Sequence, residues 1–317
     1  MTLQPIDTRL AEYIPDSRVR VLVDDFFTHY KDSTLRTYEC GLKLFAAFLG
    51  FERDDLHGAA RKLFEAGPGE ANAYTLRFLA FLQDRGCRQN AVNTYLAALK
   101  ALVKLAKTTG VISWKIEIKA KRAETYRDTR GPGIEGVRRM LSSLQNRKDA
   151  KGLRDYAIVR LMWSLGLRRG AVARLDLEDV DPDNSILMVR EKGRAEKSPR
   201  TLPDRTREAL AAWISARGDN PGPLFINFDR AGKGDGRLTP KCIGDLTQRA
   251  GDDAGLKGVT PHKIRHAAIT HSLDITNGDI RAVARFSGHR DIRVLTVYDD
   301  NREDLGGKIS EALDNHI

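Results

Sequence analysis

The sequence predicts a mainly α protein with a small β-sheet, arranged as two domains. Three observations carry that expectation. Apolar residues recur at steps of three and four along most of the chain. Only one stretch, residues 185–202, reads as strand, glycine turn and return strand. The 317 residues correspond to about two domains, and a basic, proline- and glycine-closed stretch at 111–133 interrupts the helical pattern.

The elements follow in order. Residues from 20 to 110 read as helices with short breaks. Asp32-Ser33-Thr34 offers capping side chains, and Leu35, Tyr38, Leu42, Phe45 and Leu49 then form one apolar face. Gly67-Pro68-Gly69 reads as a breaker, and the helix expected from Ala71 to Arg85 carries Leu76, Leu79, Phe81 and Leu82. Asn90 can cap the next helix, whose stripe is Val92, Tyr95, Leu96, Leu99, Leu102, Val103 and Ala106. These apolar and aromatic residues are expected to be core. Beyond Gly131-Pro132-Gly133, helices are expected at 134–145 and 152–165. A strand is expected at 185–192, turning at Gly193 and returning through Arg200-Thr201-Leu202. Helices then follow at 206–217, 239–253, 260–274, 278–287 and 290–298. A short tail helix carries Leu305, Ile309 and Leu313 as one stripe.

Charge is unevenly spread. The chain holds 53 Lys+Arg and 43 Asp+Glu, a formal +10. Residues 1–84 hold 10 basic and 13 acidic side chains, residues 85–130 hold 11 and 3, and residues 131–317 hold 32 and 27. Within the basic block, Lys100, Lys104 and Lys107 share one helix face. Lys119, Lys121 and Arg122 follow in the interdomain stretch. The face reads either as an ordinary solvated helix surface or as a surface that tracks phosphates beside a domain junction.

Several function classes drop out. No apolar run approaches the ~18 residues of a membrane span; the most apolar stretch, Leu44 to Phe51, is eight residues long. The N-terminal residues lack a basic segment followed by an apolar one, so secretion is not expected. Cys40, Cys87 and Cys242 are far apart and in no C-x-x-C pair, which argues against disulfides and a cysteine zinc site and for a cytoplasmic compartment. The seven histidines show no H-E-x-x-H spacing. Gly232-Lys233-Gly234-Asp235-Gly236 is not a phosphate-binding loop of the GxxxxGK type and reads as a surface loop.

A set of reactive side chains remains. Gly166-Leu167-Arg168 follows an apolar helix, and Lys192-Gly193 sits at the strand turn. His262-Lys263-Ile264-Arg265-His266 follows the helix-start signal Thr260-Pro261. Gly288-His289 comes next, and Tyr298 lies nine residues after His289. Singly, each has an ordinary structural role: a helix-end charge, a turn lysine, a capping pair, a core tyrosine.

Together, Arg168, Lys192, His262, Arg265, His289 and Tyr298 resemble the catalytic hexad of the tyrosine recombinases, also called the phage integrase family. The segments WSLGLRRGAVARLDLEDVD, PHKIRHAAIT and SGHRDIRVLTVYDD are similar to the family's first-arginine, second-arginine and His-to-Tyr segments. The resemblance covers nearly the whole chain, with residues 20–110 similar to the family's helical core-binding domain. It implies a SAM-like helical DNA-binding domain at 1–115, a basic linker at 116–133, and a mostly α catalytic domain at 134–317 ending in an exchange helix. No separate arm-binding domain is expected ahead of it.

The resemblance also implies a chemistry. A site-specific recombinase cuts and rejoins DNA through a 3′-phosphotyrosyl intermediate and a Holliday junction, in integration, excision or resolution. Tyr298 would be the nucleophile. Arg168 and Arg265 would hold the non-bridging oxygens with planar forks. Lys192 would protonate the leaving 5′-oxygen, with Lys197 as the second candidate. His262 would move the proton at Tyr298, and His289 would bond the phosphate. No cofactor and no metal are expected, because two guanidiniums supply the positive charge.

The implied partner is double-stranded DNA with an inverted-repeat core site, bound by a homotetramer at synapsis, without a membrane, in the cytoplasm with the nucleoid. Lys100, Lys104, Lys107, Lys119, Lys121 and Arg122 are the expected DNA-binding cations. A type IB topoisomerase-like relaxer shares this active site, and a non-catalytic relative would bind DNA only; the two-domain layout and the presence of Tyr298 favour the recombinase. One position departs from the family. Three residues after Arg168, where an acidic side chain commonly holds the arginine, stands Ala171, so Asp176 or Glu178 is the expected substitute.

Overall fold

The computed structural model describes residues 14–30, 32–122, 131–191, 193–228, 236–289, 291–295 and 305–315. It divides into two compact units, residues 1–126 and 127–317.

Among the described residues the first unit has five helices: α1 (Asp16–His29), α2 (Asp32–Phe48), α3 (Leu56–Glu65), α4 (Gly67–Asp84) and α5 (Gln89–Thr108). The expected breaker at Gly67-Pro68-Gly69 is instead the start of α4. Gly67 makes the corner with φ of 70°, and Pro68 occupies the first turn, where its missing N–H costs nothing. Asp55 caps α3 by accepting from the Gly58 amide at 2.8 Å.

Packing follows the expected stripe on α5, which buries Val92, Leu96, Leu99, Leu102, Val103 and Ala106 against α2. On α4 it does not. Phe78 is fully buried and meets Phe45 edge-on at 5.1 Å, while Leu76, expected in the core, is 54% exposed. Phe78 and Leu82 are four apart and lie on one face. Leu76 is two residues from Phe78 and points the other way.

The stretch after α5 is partly docked. Ile116 is buried in the first unit's core, and Ile118 packs against it. The Glu117 amide donates to Asn72 Oδ1 at 2.9 Å, and Asn93 Nδ2 donates to the Lys121 carbonyl at 2.8 Å. Residues 116–122, expected as linker, therefore run along the first unit. The remainder, 123–130, lies outside the described residues.

The second unit contains α6 (Gly133–Gln145), α7 (Ala150–Ser164), α8 (Arg169–Ala173), β1 (Val180–Asp181), β2 (Ile186–Val189), β3 (Ser198–Thr201), α9 (Asp204–Arg217), α10 (Pro240–Asp253), α11 (Pro261–Ile275) and α12 (Ile280–Ser287). The three strands are antiparallel in the order β1-β2-β3, with Leu187 opposite Arg200 and Val189 opposite Ser198. The short β1 is an addition to the strands expected from the sequence.

Helix α7 is central, packed by α6, α9 and α11. It is buried nearly all round, including Arg154 and Asp155, whose charges satisfy each other at 2.7 Å while Arg154 also donates to the Ile226 carbonyl. Trp213 of α9 is fully buried and donates its indole N–H to the Leu224 carbonyl at 2.9 Å.

The tail helix spans Leu305–Asp314, and Leu313 is exposed. Residues 293–295 begin the helix expected at 290–298; its end lies outside the described residues.

Substitution separates the two faces of α4. Phe78→Ala should cost about 3–5 kcal/mol, because it empties a closed site. Leu76→Ala should stay within about 0.5 kcal/mol. Urea unfolding followed on the first unit checks this, and comparable losses would contradict the assigned faces.

Candidate active site

The site forms where three helix ends meet. Helix α7 stops at Leu165, and Gly166 turns the chain with φ of 58°. A side chain there would strike the Phe286 ring at 3.1 Å, so the turn requires glycine. Leu167 is then buried, and Arg168 emerges as the residue that starts α8.

Helix α11 begins at Pro261, with the Thr260 hydroxyl accepting from the Lys263 amide at 3.3 Å. This puts exposed His262 and buried Arg265 one turn apart. Helix α12 ends at Gly288, which is left-handed with φ of 65°, and His289 follows.

Arg265 is 3% exposed and joins these ends. It donates to the Gly166 carbonyl after α7 and, at 2.6 Å, to the Ser287 carbonyl at the end of α12. Its Nη2 also lies 3.4 Å from His289 Nε2. A guanidinium has no acceptor, so Nε2 must accept. The other ring nitrogen, Nδ1, is 2.7 Å from Ser287 Oγ, and that hydroxyl donates to the Val283 carbonyl at 2.7 Å. The network thus assigns a neutral His289 that carries its proton on Nδ1.

The electrostatics agree. Burial, reinforced by Arg265, Arg168 and His262, lowers the His289 pKa to about 4. His266, one residue past Arg265, is lowered to about 4 as well, by burial and then by His262. That Arg168, His262 and Arg265 all act on one imidazole puts four of the expected six residues in one cluster.

The partner of Arg168 is a correction to expectation. Neither Asp176 nor Glu178 reaches it. Asp176 takes Arg237 at 2.6 Å, and Glu178 is exposed. Glu191 holds Arg168 instead, with Oε2 accepting from Arg168 Nη1 at 3.1 Å and Oε1 accepting from Arg200 Nη2 at 3.1 Å. Arg200 also donates to the Arg285 carbonyl at 2.9 Å. Ala171 is buried, with no acid to offer.

The sequence carried a signal for Glu191. It continues the buried parity of β2 after Leu187 and Val189, so an acid there needs cationic company.

Lys192 and Tyr298 lie outside the described residues. Lys197, the second candidate for the acid, is engaged in an ion pair with Asp179. Beside Gly288 and His289 opens a cavity of about 500 Å³ whose wall includes Arg194, Arg200, Arg281 and Arg285. Arginine-walled and open, it suits a polyanion. In the first unit, Lys104, Lys107, Lys119, Lys121 and Arg122 are exposed and Lys100 is half-buried.

Comparison with known proteins agrees with this arrangement. Residues 135–304 match the phage integrase family. A tyrosine recombinase of Synechococcus elongatus is 35% identical over 315 residues, covering 97% of this chain and 96% of the relative. A tyrosine recombinase of Synechocystis is 36% identical over 248 residues, 77% and 79% of the two chains.

Among solved structures, the XerH site-specific recombinase bound to palindromic difH substrate superposes with a TM-score of 0.65 at 15% identity, over 95% of this chain and 97% of that one. A lambda integrase dimer bound to a COC′ core site gives 0.62 at 15% identity, over 87% and 94%. The chain belongs to the phage integrase family and is a tyrosine-type site-specific DNA recombinase.

The buried His266 and the half-buried His289 set a pH dependence. Both histidines stay neutral in the folded protein down to about pH 4, whereas unfolded histidine titrates at about 6.5. Between these values the unfolded chain binds more protons, so stability should be level above about pH 7 and fall as pH drops from about 6.5 to about 4. His266→Gln should flatten part of that fall. Thermal unfolding of both proteins across the range checks it; parallel curves would contradict it.

Proposed function

We propose that this recombinase cuts DNA with Tyr298 as nucleophile and with Arg168, His262, Arg265, His289 and Lys192 as its assisting groups. The observation that carries the reading is the convergence of Arg168, His262, Arg265 and His289 on one point, in a chain of this family. The Tyr298 oxygen attacks the scissile phosphorus and its proton passes to His262. The bond to the 5′-oxygen breaks, and Lys192 protonates that oxygen. The phosphate ends as a 3′-phosphotyrosine, so the bond energy is kept and a new 5′-hydroxyl can reverse the step. Two such exchanges on paired sites, with a Holliday junction between them, complete recombination.

Charge is the central difficulty of this reaction, and arginine is suited to it. Each guanidinium is permanently charged and offers a planar fork that matches two phosphate oxygens. Arg265 Nη2 faces His289. A phosphate oxygen arriving there takes over as acceptor. The imidazole then turns donor, and the anion raises its pKa from the depressed value.

Outside the site, the arginine-walled cavity and the lysine face of α5 supply phosphate contacts over a longer stretch of duplex. Four copies assemble on two inverted-repeat core sites, and the tail helix, with Leu313 exposed, docks on a neighbouring copy. The DNA-associated activity serves integration, excision or resolution.

Two experiments test this. On a nicked suicide substrate, Tyr298→Phe should abolish the covalent protein–DNA adduct while binding stays within about threefold, since only a hydroxyl is lost. Arg265→Lys should slow single-turnover cleavage by about 10²–10³. An adduct formed by the Phe protein, or a Lys protein at the wild-type rate, would overturn the assignment. Separately, replacing Lys100, Lys104 and Lys107 by alanine should flatten the slope of log affinity against log salt by about 1 for each phosphate no longer neutralised. An unchanged slope would place the DNA elsewhere.

A further inference from the structure

Glu191 is a buried acid in the wrong place for ordinary packing. Its side chain is 6% exposed and stands at a strand-parity position otherwise filled by Leu187 and Val189. Both carboxylate oxygens are used, one by Arg168 and one by Arg200. The chain closes tightly around it. A Cβ on Gly288 would lie 3.1 Å from Glu191 Oε1 and 3.3 Å from Arg200 Nη2, so the turn before His289 passes close beside this ion pair. Lys192 is the next residue in the chain.

One carboxylate therefore bonds the Arg168 and Arg200 guanidiniums and lies beside the Gly288 turn that presents His289. A buried carboxylate with two guanidiniums is well matched in charge, while removing it would leave two cations facing each other in a poorly solvated place. Arg168 itself is one-third exposed, so its fork is held from behind while its outer edge reaches solvent.

We propose that Glu191 is a positioning residue for DNA cleavage. It fixes the Arg168 guanidinium from the β2–β3 hairpin and links that arginine to Arg200 and the Gly288-His289 turn. The role rests on the reading of Arg168 as a phosphate-binding group. It acts on the rate of the chemical step through Arg168, because Glu191 faces the arginines and an anion would not approach it.

Glu191→Gln tests the proposal with nearly unchanged shape. Single-turnover cleavage should fall roughly 10- to 100-fold, by analogy with the groups that orient metal ligands. Affinity for site DNA should stay within about threefold, and the variant should remain folded at the assay temperature, with a lowered melting temperature because two guanidiniums lose their shared counter-charge. The decisive readout is the double-mutant cycle with Arg168→Ala. If Glu191 works through Arg168, adding Glu191→Gln to Arg168→Ala should cost less than about threefold more.

Three results would count against it. Wild-type cleavage by Glu191→Gln, with Arg168→Ala inactive, removes Glu191 and leaves the site reading intact. An equal cost in both backgrounds makes Glu191 only a structural residue. Wild-type cleavage by Arg168→Ala removes the site reading itself.

Discussion

The arrangement depends on one buried guanidinium. Arg265 donates to the carbonyls of Gly166 and Ser287, and so holds the ends of two helices side by side. Buried carbonyls at helix ends need donors, and a single arginine serves both. Its position fixes where Arg168 leaves the Gly166-Leu167 turn and where His289 leaves the Gly288 turn. A lysine has three donors on one small, rotating ammonium; a planar fork meets two separate carbonyls in fixed directions. The residue that would bind phosphate thus also builds the place where phosphate would sit.

Around it the charges are sorted. Glu191 balances Arg168 and Arg200 from the protein side, and the neutral His289 adds no further positive charge. Burial first, and then the crowding of cations, keeps that imidazole neutral, since Arg265, Arg168 and His262 all oppose its protonation. In the proposed reaction an incoming phosphodiester would reverse that balance. Hydrogen bonds at the helix ends and to Glu191 hold the arginines, so the proposed reaction would need little reorganisation when charge develops.

Local pattern made much of this legible. The stripes on α2 and α5, the strand–turn–strand segment, and the helix start at Thr260 follow from spacing and capping. The residues that cluster could be named because their order matches the family. What spacing could not settle was contact between distant segments. Asp176 and Glu178 are the acids that follow Arg168 most closely along the chain, yet the acid that holds it arrives from a hairpin 23 residues away. Leu76 and Phe78 are both large and apolar, and only tertiary packing decides which one is core. Gly67-Pro68-Gly69 has the composition of a break and also of a helix start, and it is the start. Lys192 and Tyr298, named from the sequence, lie outside the described residues, so their roles rest on the family resemblance and the chemistry.

Fixed guanidiniums that neutralise charge on the scissile phosphate are the core of the proposed reaction. The most direct measurement compares two substrates, one with an ordinary scissile phosphate and one with a neutral methylphosphonate at that position. Single-turnover cleavage by wild type and by Arg168→Ala is measured on both. Arg168→Ala should lose about 10² or more on the charged substrate and much less, within about tenfold, on the neutral one. An equal loss on both substrates would contradict charge neutralisation, because Arg168 would then be needed for something other than the phosphate's charge.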